Sequence, residues 1–286
     1  MRISPQTQVV KITGVRLAYV DWGDNGPPLL MLHGDLRTGR SWDGVARDLY
    51  ESFHVVSLDA RGHGDSDWTP RGYRFDDRVE DLKEFCDALG LSGIIGVGHS
   101  TGGVVMTLAA DKYPELFTHL VLLEPMVVVD QRFQEMVAKR ADIDRTTWES
   151  RDEVYGYLRR HQAAGRWRDD VIQDVVAHEA YEREDGLFDM KWSGHAFNWA
   201  DRDGDFVDLK PVFQHLGEDL GIPILSIRSS DHKSRVPEQH AVQDGVPGMH
   251  KLTIENADHN MYMERPDAVA QAVADFVEGR VLPESL

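Results

Sequence analysis

The pentapeptide Gly98-His99-Ser100-Thr101-Gly102 joins the end of an apolar run to the start of a helical pattern. A serine lifted on such a turn stands at a helix N-terminus, where backbone N–H groups and the helix dipole favour developing negative charge. Glycines flank it because a side chain there would collide with the neighbouring strand and helix. A serine hydroxyl is a weak nucleophile until a base takes its proton, so a histidine must reach the same place. Of thirteen histidines, His259 is the best candidate, because it follows the last strand pattern and precedes the last helix. In a parallel sheet, that loop opens on the same edge as Ser100. A neutral imidazole there can accept the serine proton and later deliver it to a leaving group. His33, His63 and His99 lie in loop motifs and read mainly as structural, although His33, Gly34 and His99 are also the candidates to line the substrate. His161, His178 and His195 are scattered without metal-ligand spacing, and no metal or cofactor is expected.

These side chains need elements to position them. QVVKITGVRLAYVDWG reads as two strands around a turn at Thr13-Gly14. Three runs apolar on both faces, 28–34, 54–60 and 93–100, suit parallel strands covered on both sides. Helical patterns at 41–52 and 75–90 alternate with them, the second stopped by Gly90. A helix after Ser100 and a strand at 118–125 continue the alternation, which means a doubly wound, mostly parallel α/β sheet. From 128 to 215 only helical patterns are evident, one opened by a capping box of Ser150 with Glu153. Trp148, Trp167, Trp192 and Trp199 fall in this stretch. The sheet pattern resumes at 222–230 and 249–257, with helices near 237–245 and from Arg265 to Glu278. The expected organisation is a core of 1–127 and 216–286 with an all-helical cap inserted at 128–215, its tryptophans lining a pocket beneath a lid.

Four motifs together resemble the α/β-hydrolase superfamily, in particular its capped branch of esterases, lactonases, carbon–carbon bond hydrolases, haloalkane dehalogenases and epoxide hydrolases. They are His33-Gly34 after a strand, the run Asp59-Ala60-Arg61-Gly62-His63-Gly64-Asp65-Ser66 after the next, the turn around Ser100, and His259 in the final strand–helix loop. The resemblance implies an oxyanion hole made by the backbone N–H groups of Asp35 and Thr101. An aspartate at 35 must turn its carboxylate away from the oxyanion, or like-charge repulsion would raise the barrier. Dehalogenases and epoxide hydrolases of this fold carry an aspartate at the position of Ser100, so serine favours acyl transfer to water. The third triad member has two candidates. Asp231 follows the strand after the cap, although alignment on Val236-Pro237 puts the usual acid nearer Lys233, and Glu124 ends the strand at 118–125. Either could hold the imidazole tautomer and stabilise its charged form. Arg61 and Asp65 are expected to brace their loop, and Cys86 to pack within its helix.

Composition narrows the partners. With 31 Lys+Arg against 49 Asp+Glu, the formal net charge is −18. That argues against nucleic acid or an anionic membrane, both of which need concentrated positive charge. The single cysteine excludes an internal disulfide and a cysteine-based zinc site. No run has membrane-spanning length and MRISPQTQVVK lacks signal-peptide features, so a cytoplasmic monomer or homodimer is expected. The expected activity is hydrolysis of a small to medium, uncharged or hydrophobic carboxylic ester or lactone through an acyl-enzyme. The alternatives are a carbon–carbon (diketone) hydrolase, a cofactor-free oxygenase or lyase, and a low-turnover ligand receptor.

Overall fold

Alternation of short apolar runs with amphipathic segments produces a twisted sheet with helices on both faces. The structure is a computed structural model that describes residues 5–129, 131–142, 144–200, 207–231 and 236–286. The strands that build the sheet are β1 (Thr7–Ile12), β2 (Val15–Asp21), β3 (Pro28–Leu32), β4 (His54–Leu58), β5 (Ile94–His99) and β6 (Phe117–Leu123). Helices α1 (Asp43–Leu49), α2 (Phe75–Leu89) and α3 (Thr101–Lys112) alternate with them. After β6 come β7 (Val128–Val129), α4 (Gln131–Ala138), α5 (Arg151–Arg160), α6 (Asp169–His178), β8 (Ala180–Glu182), β9 (Phe188–Met190), β10 (Val207–Asp208) and α7 (Lys210–Gln214). The chain then rejoins the sheet through β11 (Ile224–Ser229), α8 (Val236–Asp244), β12 (His250–Ile254), α9 (Met261–Glu264) and α10 (Pro266–Val277).

The eight-stranded sheet has the order β1-β2-β4-β3-β5-β6-β11-β12. The first hairpin is antiparallel and β2 meets β4 antiparallel, whereas the pairs from β4 through β12 are parallel. Strand β5 lies inside the sheet and all six of its residues are buried, as its apolar run requires. Helix α2 ends at Gly90, whose φ of 67° supplies the left-handed cap. Cys86 on its buried face is fully covered, and burial pushes its thiol up to about 12, so it packs rather than reacts. Close approach explains the glycines of the turn. A Cβ on Gly98 would come within 2.7 Å of the Gly102 oxygen, and one on Gly102 would overlap the Leu32 and His33 carbonyls.

The stretch between β6 and β11 is not all-helical. It contains two short antiparallel ladders, β7 with β10 and β8 with β9. The second has a local signal in Asp185-Gly186, where Gly186 takes φ 82°, but strands of two or three residues carry too few positions to show alternation. Ser150 does cap α5, accepting from the Glu153 N–H at 3.2 Å, while the Glu153 carboxylate reaches the N–H of Glu149 rather than that of Ser150. Trp167 and Trp199 face the loop after β3: the Arg37 guanidinium sits 5.0 Å over the Trp167 ring, and Trp199 bonds Asp35. Among the described residues, no helix is long and apolar enough to cross a membrane.

Candidate active site

The carboxyl ends of β3, β5, β6, β11 and β12 share one edge of the sheet, and the loops that leave them carry the expected chemistry. Register sets the neighbours. His99 pairs with Leu123, so Ser100 and Glu124 are the next residues on adjacent strands, and the Ser100 N–H donates to the Leu123 carbonyl at 3.0 Å. Among the described residues, the non-glycine positions with positive φ are Leu36, Ser100, Glu124 and Asn256. They lie in the loops after β3, β5, β6 and β12. Left-handed backbone costs a side-chain-bearing residue of order 1–3 kcal/mol, so its concentration at one edge marks a site held in place by its surroundings.

Ser100 has φ 52° and ψ −116° between β5 and α3, and is half-buried. Gly34 lies against it: a Cβ there would come within 3.0 Å of the Ser100 Cβ and 2.9 Å of His99 Nδ1. His259 follows β12 and is also half-buried. Its ring centroid is 4.6 Å from that of His99, and His99 Nε2 donates to the His259 carbonyl at 2.8 Å. The structure therefore brings His259 beside the turn that carries Ser100. Tyr262 completes the packing, 4.8 Å from the His99 ring and stacked on Trp42 at 4.1 Å.

His33 is buried with both ring nitrogens engaged: Nδ1 donates to the Gly34 carbonyl at 2.7 Å, and Nε2 accepts the Ala60 N–H at 3.0 Å. Burial and the neighbouring His63 hold its pKa well below the ordinary value, so the ring is neutral. It fastens the loop after β3 to the loop after β4 instead of facing a ligand, which corrects the expectation that it lines the substrate. His63 is likewise neutral, with burial pushing its pKa down to about 3. Asp59 fixes the same loops, accepting from Gly39 at 2.6 Å and Asp65 at 2.9 Å through backbone N–H groups. Arg61 braces against Asp81 at 2.8 and 2.5 Å. The Asp65 carboxylate does not brace its own loop; it accepts from Lys191 Nζ at 2.7 Å and ties the loop to β9's neighbourhood.

The Asp35 carboxylate is held by three groups: Thr101 Oγ1 at 3.2 Å and Arg78 Nη1 at 3.4 Å from Oδ1, and Trp199 Nε1 at 2.9 Å from Oδ2. Arg78 was not legible as a site residue, although one signal was available. It occupies the apolar stripe Phe75, Val79, Leu82, Phe85 of α2, where an arginine has no reason to be buried unless it meets an anion.

The two candidate acids differ in surroundings. Glu124 is buried, has φ 40°, and its Oε1 accepts from the Ser229 N–H at 2.7 Å and hydroxyl at 2.8 Å, with His240 Nε2 3.2 Å from Oε2. Asp231 is 38% exposed, and its Oδ2 accepts from Arg166 at 2.7 Å, an arginine that also grips Glu264 at 2.7 Å. Lys233 lies outside the described residues. Among those described, one cluster of metal-ligating groups occurs, Asp43, Asp174 and His178. It adjoins Arg40 and Arg47, which already neutralise its carboxylates at 3.3 and 2.6 Å.

Comparisons with known proteins agree with the fold. The family model described as alpha/beta hydrolase fold matches residues 27–266. Epoxide hydrolase 4 of Mus musculus is 37% identical over 117 residues, 40% of this chain and only 33% of that protein, so the match spans about a third of that relative. The 2-(acetamidomethylene)succinate hydrolase of Mesorhizobium japonicum is 26% identical over 89% of both chains. A crystal structure of E-2-(acetamidomethylene)succinate hydrolase superposes with a TM-score of 0.83 at 23% identity, covering 96% of this chain and 99% of that one. A thioesterase domain from the curacin biosynthetic pathway superposes with a TM-score of 0.80 at 17% identity, covering 95% and 99%. At these identities the structural likenesses establish the fold alone.

Proposed function

Since this chain belongs to the alpha/beta hydrolase fold family, we propose that it is a serine hydrolase acting on carboxylic ester bonds through an acyl-enzyme. One observation carries the reading: a half-exposed Ser100, held at φ 52° where β5 meets α3, lies beside the His99 ring to which the His259 loop is bonded. In this reading Ser100 Oγ attacks the carbonyl carbon while His259 takes its proton. The carbonyl oxygen becomes an oxyanion received by the backbone N–H groups of Asp35 and Thr101. As the bond to the leaving alcohol breaks, His259 returns the proton to it. Water then adds to the acyl-enzyme with the same proton relay, releasing the acid and restoring Ser100.

Glu124 is our choice for the orienting acid. It is buried directly after β6, the strand that pairs with the one leading into Ser100, and a desolvated carboxylate interacts strongly with an imidazolium. Asp231 is half-solvated and its charge is already met by Arg166. Residues 128–215 are proposed as the cap. Serine at the turn separates this chain from epoxide-opening chemistry, despite the names of its partial relatives. A second reading is supported by the relative that matches over 89% of both chains: the same serine attacking the amide carbonyl of an acetamido substrate.

The test is a chain-length series of nitrophenyl esters, with lactones, a diketone and 2-(acetamidomethylene)succinate added, assayed on wild type and Ser100→Ala. The variant is expected to lose turnover by a factor of about 10³ or more while keeping its fold. A fully active Ser100→Ala protein would reject the mechanism.

A further inference from the structure

The two residues proposed to receive the oxyanion are linked through their side chains. Thr101 Oγ1 donates to Asp35 Oδ1 at 3.2 Å, and Asp35 Oδ2 accepts from Trp199 Nε1 at 2.9 Å. Resting on the serine-hydrolase reading above, we propose that the Asp35 carboxylate is a positioning group: it sets the spacing of the two oxyanion donors and completes it only when residues 194–200 are seated against them.

A carboxylate next to a developing oxyanion is costly unless its charge is met and turned aside. An apolar residue at 35 would avoid that cost, so an aspartate needs a compensating use. Its use is visible in its partners, which come from three separate elements. Thr101 opens α3, Arg78 lies on the buried face of α2, and Trp199 belongs to the 3₁₀ stretch Gly194–Ala200. Arg78 reaches that same stretch with its other arm, donating from Nη2 to the Ala196 carbonyl at 2.7 Å.

One stretch of chain therefore supplies Asp35 with a hydrogen-bond donor and also orients the cation that neutralises it. Were residues 194–200 to leave, the carboxylate would lose Trp199, Arg78 would lose its Ala196 anchor, and the Thr101 hydroxyl would be bonded to an anion free to swing. Misplacing a preorganised donor by a fraction of an ångström lowers the rate without lowering substrate affinity. The side chain acts through the backbone amides, so it is expected to move kcat rather than KM.

The experiment uses the full chain, nitrophenyl acetate and the variants Asp35→Asn, Thr101→Val, Thr101→Ser and Trp199→Phe. Thr101→Val and Trp199→Phe are expected to lower kcat about tenfold, a fraction of what deleting an oxyanion donor costs, with KM within about twofold. Thr101→Ser restores most of the rate because it keeps the hydroxyl. Asp35→Asn combined with Trp199→Phe loses less than the product of the single losses, because both act through one contact. Wild-type kcat in both Thr101→Val and Trp199→Phe overturns the proposal, as do equal losses in the serine and valine variants or strictly multiplicative losses in the double variant. Labelling by a fluorophosphonate, read by intact mass, separates the two levels. A wild type labelled at Ser100 with unaffected variants overturns the positioning role alone, and a wild type left unlabelled overturns the serine reading and the proposal together.

Discussion

His99 Nε2 donates to the backbone carbonyl of His259 across 2.8 Å, joining the residue before the proposed nucleophile to the residue proposed as its base. The bond fixes main chain to side chain across 160 residues of sequence, and the two rings pack 4.6 Å apart. That bond is one of the contacts that hold the His259 loop against the turn carrying Ser100.

His99→Phe keeps a ring against Tyr262 and removes the donor. Its kcat for a nitrophenyl ester is expected to fall about 10- to 100-fold, the cost of a base displaced by up to an ångström. KM and the melting temperature change little. Steady-state kinetics check this, and an unchanged kcat would show that the His259 loop is held by other contacts.

The orienting acid is settled by separate amides. Glu124→Gln keeps the shape and one acceptor for Ser229, and is expected to lower kcat by a factor of about 10² or more, as loss of a triad carboxylate does. Asp231→Asn loosens the grip of Arg166 and is expected to change kcat by less than about threefold, since a half-exposed ion pair is worth little. The reverse ranking in a side-by-side kinetic comparison would transfer the role to Asp231.

A buried acid gives stability a pH dependence of defined sign. Burial pushes the Glu179 carboxyl from 4.5 up to about 7, opposed by Arg37 and reinforced by Asp59 and Asp43. Between those values the folded chain retains a proton that the unfolded chain has released, so this group's stabilising effect is complete below about pH 4.5 and is lost as pH rises toward 7. Glu179→Gln removes the titration. Relative to wild type, the variant is expected to gain stability between pH 4.5 and 7, by an amount on the order of 1–3 kcal/mol. Thermal melts of both proteins across that range test it, and a gain in the opposite direction would contradict the assignment.

Much of this protein was readable from local pattern. The three runs apolar on both faces became β3, β4 and β5 inside the sheet, as continuous apolar strands require, and these and the later strand patterns appear as β3 to β6, β11 and β12 within about three residues of their expected bounds. The glycines around Ser100 carried the turn because the strand, helix and preceding loop leave no room for a Cβ. The short ladders between β6 and β11 were not readable, since pairing over two or three residues is set by what the segment packs against rather than by its own period.

The order of strands along the chain, the turn that lifts Ser100 and the loop that carries His259 were determined by the sequence itself, because hydrophobic period and glycine placement act over a few residues at a time. Only the tertiary structure decided that His33 spends its ring on two backbones, that Glu124 is enclosed while Asp231 faces Arg166, and that Arg78 meets Asp35. All of these but the bond from His33 to Gly34 are contacts between segments tens to more than a hundred residues apart, and a side chain's partner, burial and charge state depend on which distant surface the fold lays against it.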